Sequence, residues 1–336
     1  MTDFFTLSQP QQRTIIEQVQ NRLGLPSNAI EKDLWVTCLL QILFDIDLNA
    51  NIIFKGGTSL SKLGNLIERF SEDIDIAIDP SVYGFDGDLT KKQIKQLRKQ
   101  SSLYVKECMT NALKNAIEKY GLDKLLTITP EPDGIGDATY PEPRKIFINY
   151  KSLFPTSVGY LQDRIILEVG SRSLMEPTEK IYVQSLISST FPEIRTSFVN
   201  PIVTTAAPQK TFLEKACLLH ELFSVNTKAQ NADRRSRHIY DLERMMDKDF
   251  ATKAISDNDL WNSIQHHRSV FASVKDVDYS SDFRSNIVLC PPQNVLSEWK
   301  TDYRQMCETM IFGVKLPFEQ LIDRIHELEK RFHNAI

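Results

Sequence analysis

The spacing of apolar residues in the first two thirds of the chain predicts a mixture of helices and strands. Apolar residues recur every three or four positions over 8–22 and 28–46, which predicts two helices. Short apolar or alternating runs predict strands at 51–54, 74–79, 125–130, 144–152, 163–171 and 179–184, and a polar helix lies at about 90–120. Such a mixture indicates a sheet with helices packed on it.

From about residue 208 the pattern changes to helical periodicity alone. The predicted helices cover 211–225, 237–246, 259–274, 294–312 and 317–332. We therefore place a boundary near Pro208. The expected fold class is α+β: a mixed-sheet domain with packed helices over 1–207, followed by a helical domain over 208–336.

Composition indicates an ordinary globular protein and excludes only a strongly basic one. Of 336 residues, 41% are hydrophobic and 25% charged, and the net charge of −4 excludes a global basic field for nucleic acid. An RNA partner would need local basic segments, of which 91–100 and 226–237 are the candidates. The pattern of the first of these favours a solvated helix face over a binding site.

Compartment signals point to the cytoplasm. The N-terminus, MTDFFTLSQPQQR, lacks the basic and apolar regions of a secretory signal, and no run reaches the roughly 18 apolar residues of a membrane span. The five cysteines are scattered and lack C-x-x-C spacing. This favours reduced thiols over a disulfide framework or a zinc site.

The first motif is the run Lys55, Gly56, Gly57, Thr58 and Ser59. A predicted strand ends there, the glycines permit a tight turn, and a helix capped by Thr58 follows. Helix N-termini attract anions, phosphates above all. Taken alone, a glycine pair before a helix is more often only a structural turn.

The second motif is SEDID at 71–75. In a strand Asp73 and Asp75 project from one face, and two such carboxylates repel each other unless a cation lies between them. Magnesium, or manganese, suits oxygen ligands and leaves positions for substrate phosphates. The alternative is an exposed strand edge with alternating acids, but the order of the two motifs favours metal-assisted nucleotidyl transfer.

Together these segments resemble the signature of the DNA polymerase β-type nucleotidyltransferase superfamily. The sequence GGTSL…RFSEDIDIAI is similar to the corresponding motif of the AbiEii/AbiGii toxin family, which includes the MenT toxins. The resemblance implies that the glycine turn holds NTP phosphates and that Asp73 and Asp75 bind magnesium. It also implies a third carboxylate on a neighbouring strand, for which Glu168 is the best candidate; alternatively, Glu168 forms a salt bridge with Arg172.

The same resemblance extends into the helical domain. The family carries a lysine on one helix and an Arg…Asp pair on the next, and these match Lys215, Arg237 and Asp241. Lys215 would contact triphosphate oxygens, Arg237 would help bind phosphate, and Asp241 would orient the lysine or act as a base. The alternatives are a snorkelling lysine and a surface ion pair between Arg237 and Asp241.

The expected function is magnesium-dependent transfer of NMP from an NTP to RNA, such as the 3′ end of tRNA. By resemblance the chain is the toxin of a bacterial toxin–antitoxin or abortive-infection (phage-defence) system, with a cognate antitoxin encoded nearby and no membrane partner. The alternative acceptors are a protein or a small-molecule hydroxyl. A catalytically silent NTP-binding protein is the alternative from another class.

Overall fold

The computed structural model describes residues 2–48, 50–64, 66–155, 162–195, 201–225, 229, 231–280 and 283–335. The chain forms two compact units. The first contains residues 1–62 and 71–205, and the second contains residues 63–70 and 206–336. The short segment 63–70 therefore belongs to the same unit as the C-terminal helices.

A seven-stranded mixed sheet forms the centre of the first unit. Its strands, in spatial order, are β4 (Leu126–Pro130), β5 (Arg144–Tyr150), β6 (Arg164–Gly170), β3 (Ile74–Ile78), β2 (Ile52–Lys55), β9 (Ile202–Ala206) and β7 (Thr178–Tyr182). β3 runs parallel to β6 and antiparallel to β2. A separate two-stranded pair joins β1 (Thr2–Asp3) to β8 (Ile194–Arg195).

The helices of the first unit include those that the apolar spacing predicts and one at Leu186–Thr190 that it does not. They are α1 (Gln9–Leu23), α2 (Ser27–Asp45), α3 (Gly56–Lys62), α4 (Lys91–Tyr104), α5 (Thr110–Lys119) and α6 (Leu186–Thr190). The predicted helix at 90–120 is interrupted by a π-helical turn at Val105–Met109. The mixed sheet with packed helices confirms the predicted fold class.

Strand β3 shows how the sheet separates its core from its site. Ile74, Ile76 and Ile78 are fully buried within the core of the first unit. Asp75 is only partly buried, because neighbouring side chains of a strand point to opposite faces. The hydrophobic face therefore fixes which way the carboxylate points.

The second unit is helical in its described residues. Its helices are α7 (Pro208–Phe223), α8 (Ser236–Met245), α9 (Asp249–Ser256), α10 (Asn258–Phe271), α11 (Leu296–Thr309) and α12 (Phe318–His333). Aromatic side chains form its core: the Phe332 ring lies 6.0 Å from Phe212 and 5.7 Å from Trp261, between centroids. None of the described helices is long and apolar enough to cross a membrane.

Candidate active site

Four charged side chains form a row across the middle strands of the sheet. Lys55 on β2 lies opposite Asp75 on β3, and Asp75 lies opposite Glu168 on β6. Lys145 on β5 lies opposite Glu168 in turn. All four are partly exposed, and residues paired across strands share a face. The register therefore brings two carboxylates together and flanks them with two cations.

The glycine turn touches this row directly. Gly56 has a φ of +81°, a left-handed conformation that favours glycine. A Cβ added to Gly56 would lie 2.0 Å from Oδ2 of Asp75. The Asp75 carboxylate thus packs against the bare backbone of the turn, so the two sequence motifs form one structural unit.

This contact predicts the effect of Gly56→Ala. The added methyl group would force the Asp75 carboxylate to move. We therefore expect the transfer activity that the resemblance implies to fall by at least about a hundredfold, in the range seen when one transition-state contact is removed. The left-handed φ adds strain of about 1–2 kcal/mol. Activity and urea unfolding should be measured together.

The matched control is Gly84→Ala. Gly84 has a similar φ of +75°, but an added Cβ would meet nothing within 4 Å. This variant shares the backbone strain without the clash. Equal activity losses in the two variants would contradict a specific role for the Gly56–Asp75 contact.

The two hydroxyl residues of the turn are engaged inside the protein. Thr58 is buried, and its hydroxyl bonds to the carbonyl oxygen of Asp73 and lies 2.9 Å from Oγ of Ser71. Ser59 is also buried and donates to the carbonyl oxygen of Gly56 at 2.9 Å. The helix begins at Gly56 instead of after a Thr58 cap. The Thr58 hydroxyl thus joins the glycine turn to the backbone of the aspartate segment.

Glu72, between the two motif segments, has a structural partner. Its carboxylate accepts from Nζ of Lys32 at 2.6 Å, and both side chains are buried. Lys32 also donates to the carbonyl oxygen of Gln162 at 3.0 Å. This buried pair anchors the start of the aspartate segment to helix α2.

Glu168 and Arg172 do not form the salt bridge considered as an alternative. Arg172 instead pairs with Glu142, whose other oxygen accepts from the backbone of Ser171 at 2.7 Å. Glu168 has Lys145 as its ionic partner, with Oε1 3.3 Å from Nζ and both side chains partly exposed. An exposed ion pair of this kind is weak, so Glu168 can reorganise around a cation.

A second cluster lies within the helical unit, where Asp241 is fully buried. Arg69 donates to both of its carboxylate oxygens at 2.7 Å, and Nζ of Lys215 lies 3.0 Å from Oδ2. Lys215 also lies 3.4 Å from Nδ1 of His238. Arg69 and Lys215 are themselves buried. Asp241 is therefore held in a two-cation network, which rules out the alternative of a surface ion pair with Arg237.

The charges in this cluster shift one another's pKa values. Burial would raise the pKa of Asp241, but the charges of Arg69 and Lys215 outweigh it and lower the pKa. Burial lowers the pKa of Lys215, opposed by Asp241 and assisted by Arg69 and Arg237. Arg237 is thus close enough to Lys215 to act on it electrostatically.

Burial, followed by the neighbouring charges of Lys215 and Arg237, holds the pKa of His238 well below its usual value. The unfolded chain then binds more protons below about pH 6.5, so stability falls as the pH drops through that value. We expect a loss of about 1 kcal/mol between pH 7 and pH 5.5 that His238→Asn, which keeps an acceptor near Nδ1, removes. Urea unfolding at both pH values measures it, and identical pH dependence in the two proteins would contradict the assignment.

Two residues of these clusters, Arg69 and Lys145, were not predicted from the sequence. Arg69 lies within the motif, four residues before Asp73, but its partner Asp241 is on a helix far away in the sequence. Lys145 follows Arg144 in a predicted strand and carries no local signal. The basic segment 226–237 lies partly outside the described residues, since 226–228 and 230 are not among them.

Comparison with known proteins is consistent with this geometry. The family described as nucleotidyl transferase AbiEii toxin, type IV TA system, matches residues 38–324. Among solved structures, the chain is similar to MenT4, a nucleotidyltransferase toxin from Mycobacterium tuberculosis H37Rv. The identity is 15%, 98% of each chain is covered, and the TM-score is 0.49. No curated protein matches the chain.

The family match defines a nucleotidyltransferase. Because the match spans most of the chain and includes both clusters, this chain belongs to the AbiEii family of nucleotidyltransferase toxins. The resemblance drawn from GGTSL…RFSEDIDIAI is thereby confirmed. A toxin of a type IV toxin–antitoxin system implies an antitoxin partner.

Proposed function

We propose that this protein transfers a nucleoside monophosphate from an NTP to a hydroxyl of RNA, such as the 3′ end of tRNA, with magnesium as cofactor. The observation that carries the proposal is the position of Asp75, which is in register with Glu168 and packed against Gly56. It combines a carboxylate pair and a glycine turn in one structure.

The donor types of the first unit are those that a hard divalent cation prefers. Asp75 and Glu168 offer carboxylate oxygens from neighbouring strands, and Asp73 precedes β3 by one residue. Magnesium prefers oxygen ligands, and manganese shares that preference. These three residues would hold the cation, which would neutralise phosphate charge and lower the pKa of the attacking hydroxyl.

In the proposed reaction, the oxygen of the acceptor hydroxyl forms a bond to the α-phosphorus. At the same time the bond between the α-phosphorus and the oxygen that bridges it to the β-phosphorus breaks. Pyrophosphate leaves with the bond electrons, and the hydroxyl proton passes to solvent or a base. The backbone of Gly56 and Gly57 and the ammonium of Lys55 would bind phosphate oxygens. Because Thr58 and Ser59 are buried, their proposed part is to shape the turn.

In the helical unit, Lys215 would contribute positive charge to the triphosphate, with Arg237 assisting. Asp241 is fully buried and accepts from Arg69 and Lys215, so of its two expected roles the orienting one fits better. Its lowered pKa makes it a poor proton acceptor. Arg69 is the further positioning residue of this network.

An exposed basic helix supports RNA as the acceptor. On α4, four lysines are exposed, namely Lys91, Lys92, Lys95 and Lys99. Phosphate backbones bind such local patches through counterion release, even when the net charge of the protein is negative. We further propose that the chain acts in the cytoplasm, where thiols such as its five free cysteines stay reduced.

The test is incubation with magnesium, each of the four NTPs labelled on the α-phosphate, and either total RNA or total protein. We expect label in RNA of tRNA size, with one NTP preferred, and loss of the label when EDTA is added. Label in protein would show that the acceptor is a protein and not RNA, while the nucleotidyltransferase activity would stand. A chain that labels neither, although it is folded, would overturn the proposed transfer to RNA.

A further inference from the structure

A mixed cluster of possible metal ligands lies in the helical unit, apart from the residues used above. His326 and Glu329 are one turn apart on α12, so they share a face of that helix. Cys290, in the segment just before Pro291 and Pro292, lies against them. One ligand atom from each of the three residues lies within 4.8 Å of the other two.

These three donors are the types that zinc prefers. Zinc binds thiolate sulfur, imidazole nitrogen and carboxylate oxygen at about 2.0–2.3 Å, usually in tetrahedral geometry. Nδ1 of His326 lies 3.8 Å from Oε1 of Glu329, a spacing that a small side-chain rotation closes around one ion. His326 is exposed, so an ion can enter from solvent, whereas Cys290 is buried.

The carboxylate of this cluster is already oriented. Oε2 of Glu329 accepts from the backbone of Leu289 at 2.7 Å, next to Cys290 in the chain. Hydrogen bonds of this kind commonly hold metal ligands in position. The same hydrogen bond joins the segment before Pro291 to α12. It therefore holds Cys290 and the two ligands on α12 in a fixed position relative to each other.

On metal binding the Cys290 thiol would release its proton to the solvent, because zinc coordinates the thiolate.

We propose that Cys290, His326 and Glu329 form a zinc-binding site that fastens the segment before Pro291 to the C-terminal helix. Water would complete the coordination. The three ligands come from two segments about 35 residues apart and follow no C-x-x-C spacing. The proposed site differs from the expectation that scattered cysteines favour reduced thiols over a zinc site, and it is independent of the proposed transfer reaction.

Cobalt titration of the tag-free protein tests the proposal. We expect one equivalent of Co²⁺ to produce the near-ultraviolet charge-transfer band of a cobalt thiolate, and Zn²⁺ to displace it. Cobalt bound by Asp73, Asp75 or Glu168 gives no such band, because those ligands are oxygens. Zinc should also raise the thermal unfolding temperature, since it binds the folded state.

Two variants and one control complete the test. Cys290→Ser should lose the band. The exposed His326→Ala, which carries little risk to folding, should weaken cobalt binding by more than about tenfold. Cys307→Ser is the matched control, because Cys307 is a partly buried thiol outside the cluster. No thiolate band in the wild-type protein, or a band that survives in Cys290→Ser, would overturn the site.

Discussion

Asp75→Asn is expected to lose nucleotidyl transfer by about a thousandfold or more while the protein remains folded. Asp75 lies between Lys55 and Glu168 in the charged row and packs against Gly56. The amide keeps the shape of the side chain but removes its charge. A bound metal stabilises transition-state charge by several kcal/mol, and about 4 kcal/mol corresponds to a thousandfold in rate.

The comparison for this variant is Asp123→Asn, which changes an exposed aspartate of the same unit. We expect Asp123→Asn to keep wild-type activity. Circular dichroism and urea unfolding should show both variants folded. If Asp75→Asn transferred label at the wild-type rate, Asp75 would have no part in binding the cation.

The largest loss of stability is expected from Asp241→Asn. Asp241 is 0% exposed and accepts from two buried cations, Arg69 and Lys215. Removing its charge leaves both cations without compensation in a buried site. Breaking a buried pair in this way costs about 3–5 kcal/mol. Urea unfolding at pH 7 measures the change.

Asp247→Asn is the matched control. Asp247 also has two arginine partners, Arg324 and Arg331, but its side chain is 57% exposed. Solvent screens such pairs, and we expect a loss of no more than about 1 kcal/mol. Similar losses in Asp241→Asn and Asp247→Asn would show that burial of the network contributes nothing.

The local parts of the site were predictable from the sequence. The alternation of Ile74, Asp75 and Ile76 fixes the strand and the face of its carboxylate, because both depend only on neighbouring residues. The positive φ of Gly56 is also a local feature of the turn, whereas its contact with Asp75 is not. The family resemblance adds Lys215 and Asp241, which no spacing rule would have selected.

The long-range parts could not be predicted in the same way. Arg69 and Asp241 are 172 positions apart, and nothing near either residue identifies its partner. The pairing of Glu168 with Lys145 depends on the register of β5 against β6, which is set by side-chain packing across the sheet. Arg172, the nearer cation in sequence, belongs to Glu142.

The hydroxyl residues illustrate a different limit. Thr58 has a strong preference for a helix cap, so a phosphate-facing cap was a reasonable prediction. In the structure its hydroxyl bonds to the carbonyl oxygen of Asp73, where it joins the turn to the aspartate segment. Tertiary hydrogen bonding overrides the local preference.

The central claim is that this chain transfers the nucleoside monophosphate of an NTP to an acceptor. The most direct measurement compares the same NTP labelled on either the α- or the γ-phosphate, with magnesium and total RNA. We expect α-label to enter RNA and γ-label to be released as pyrophosphate, and we expect neither with Asp75→Asn. Transfer of γ-label to the acceptor, or unchanged α-label transfer by Asp75→Asn, would contradict the claim.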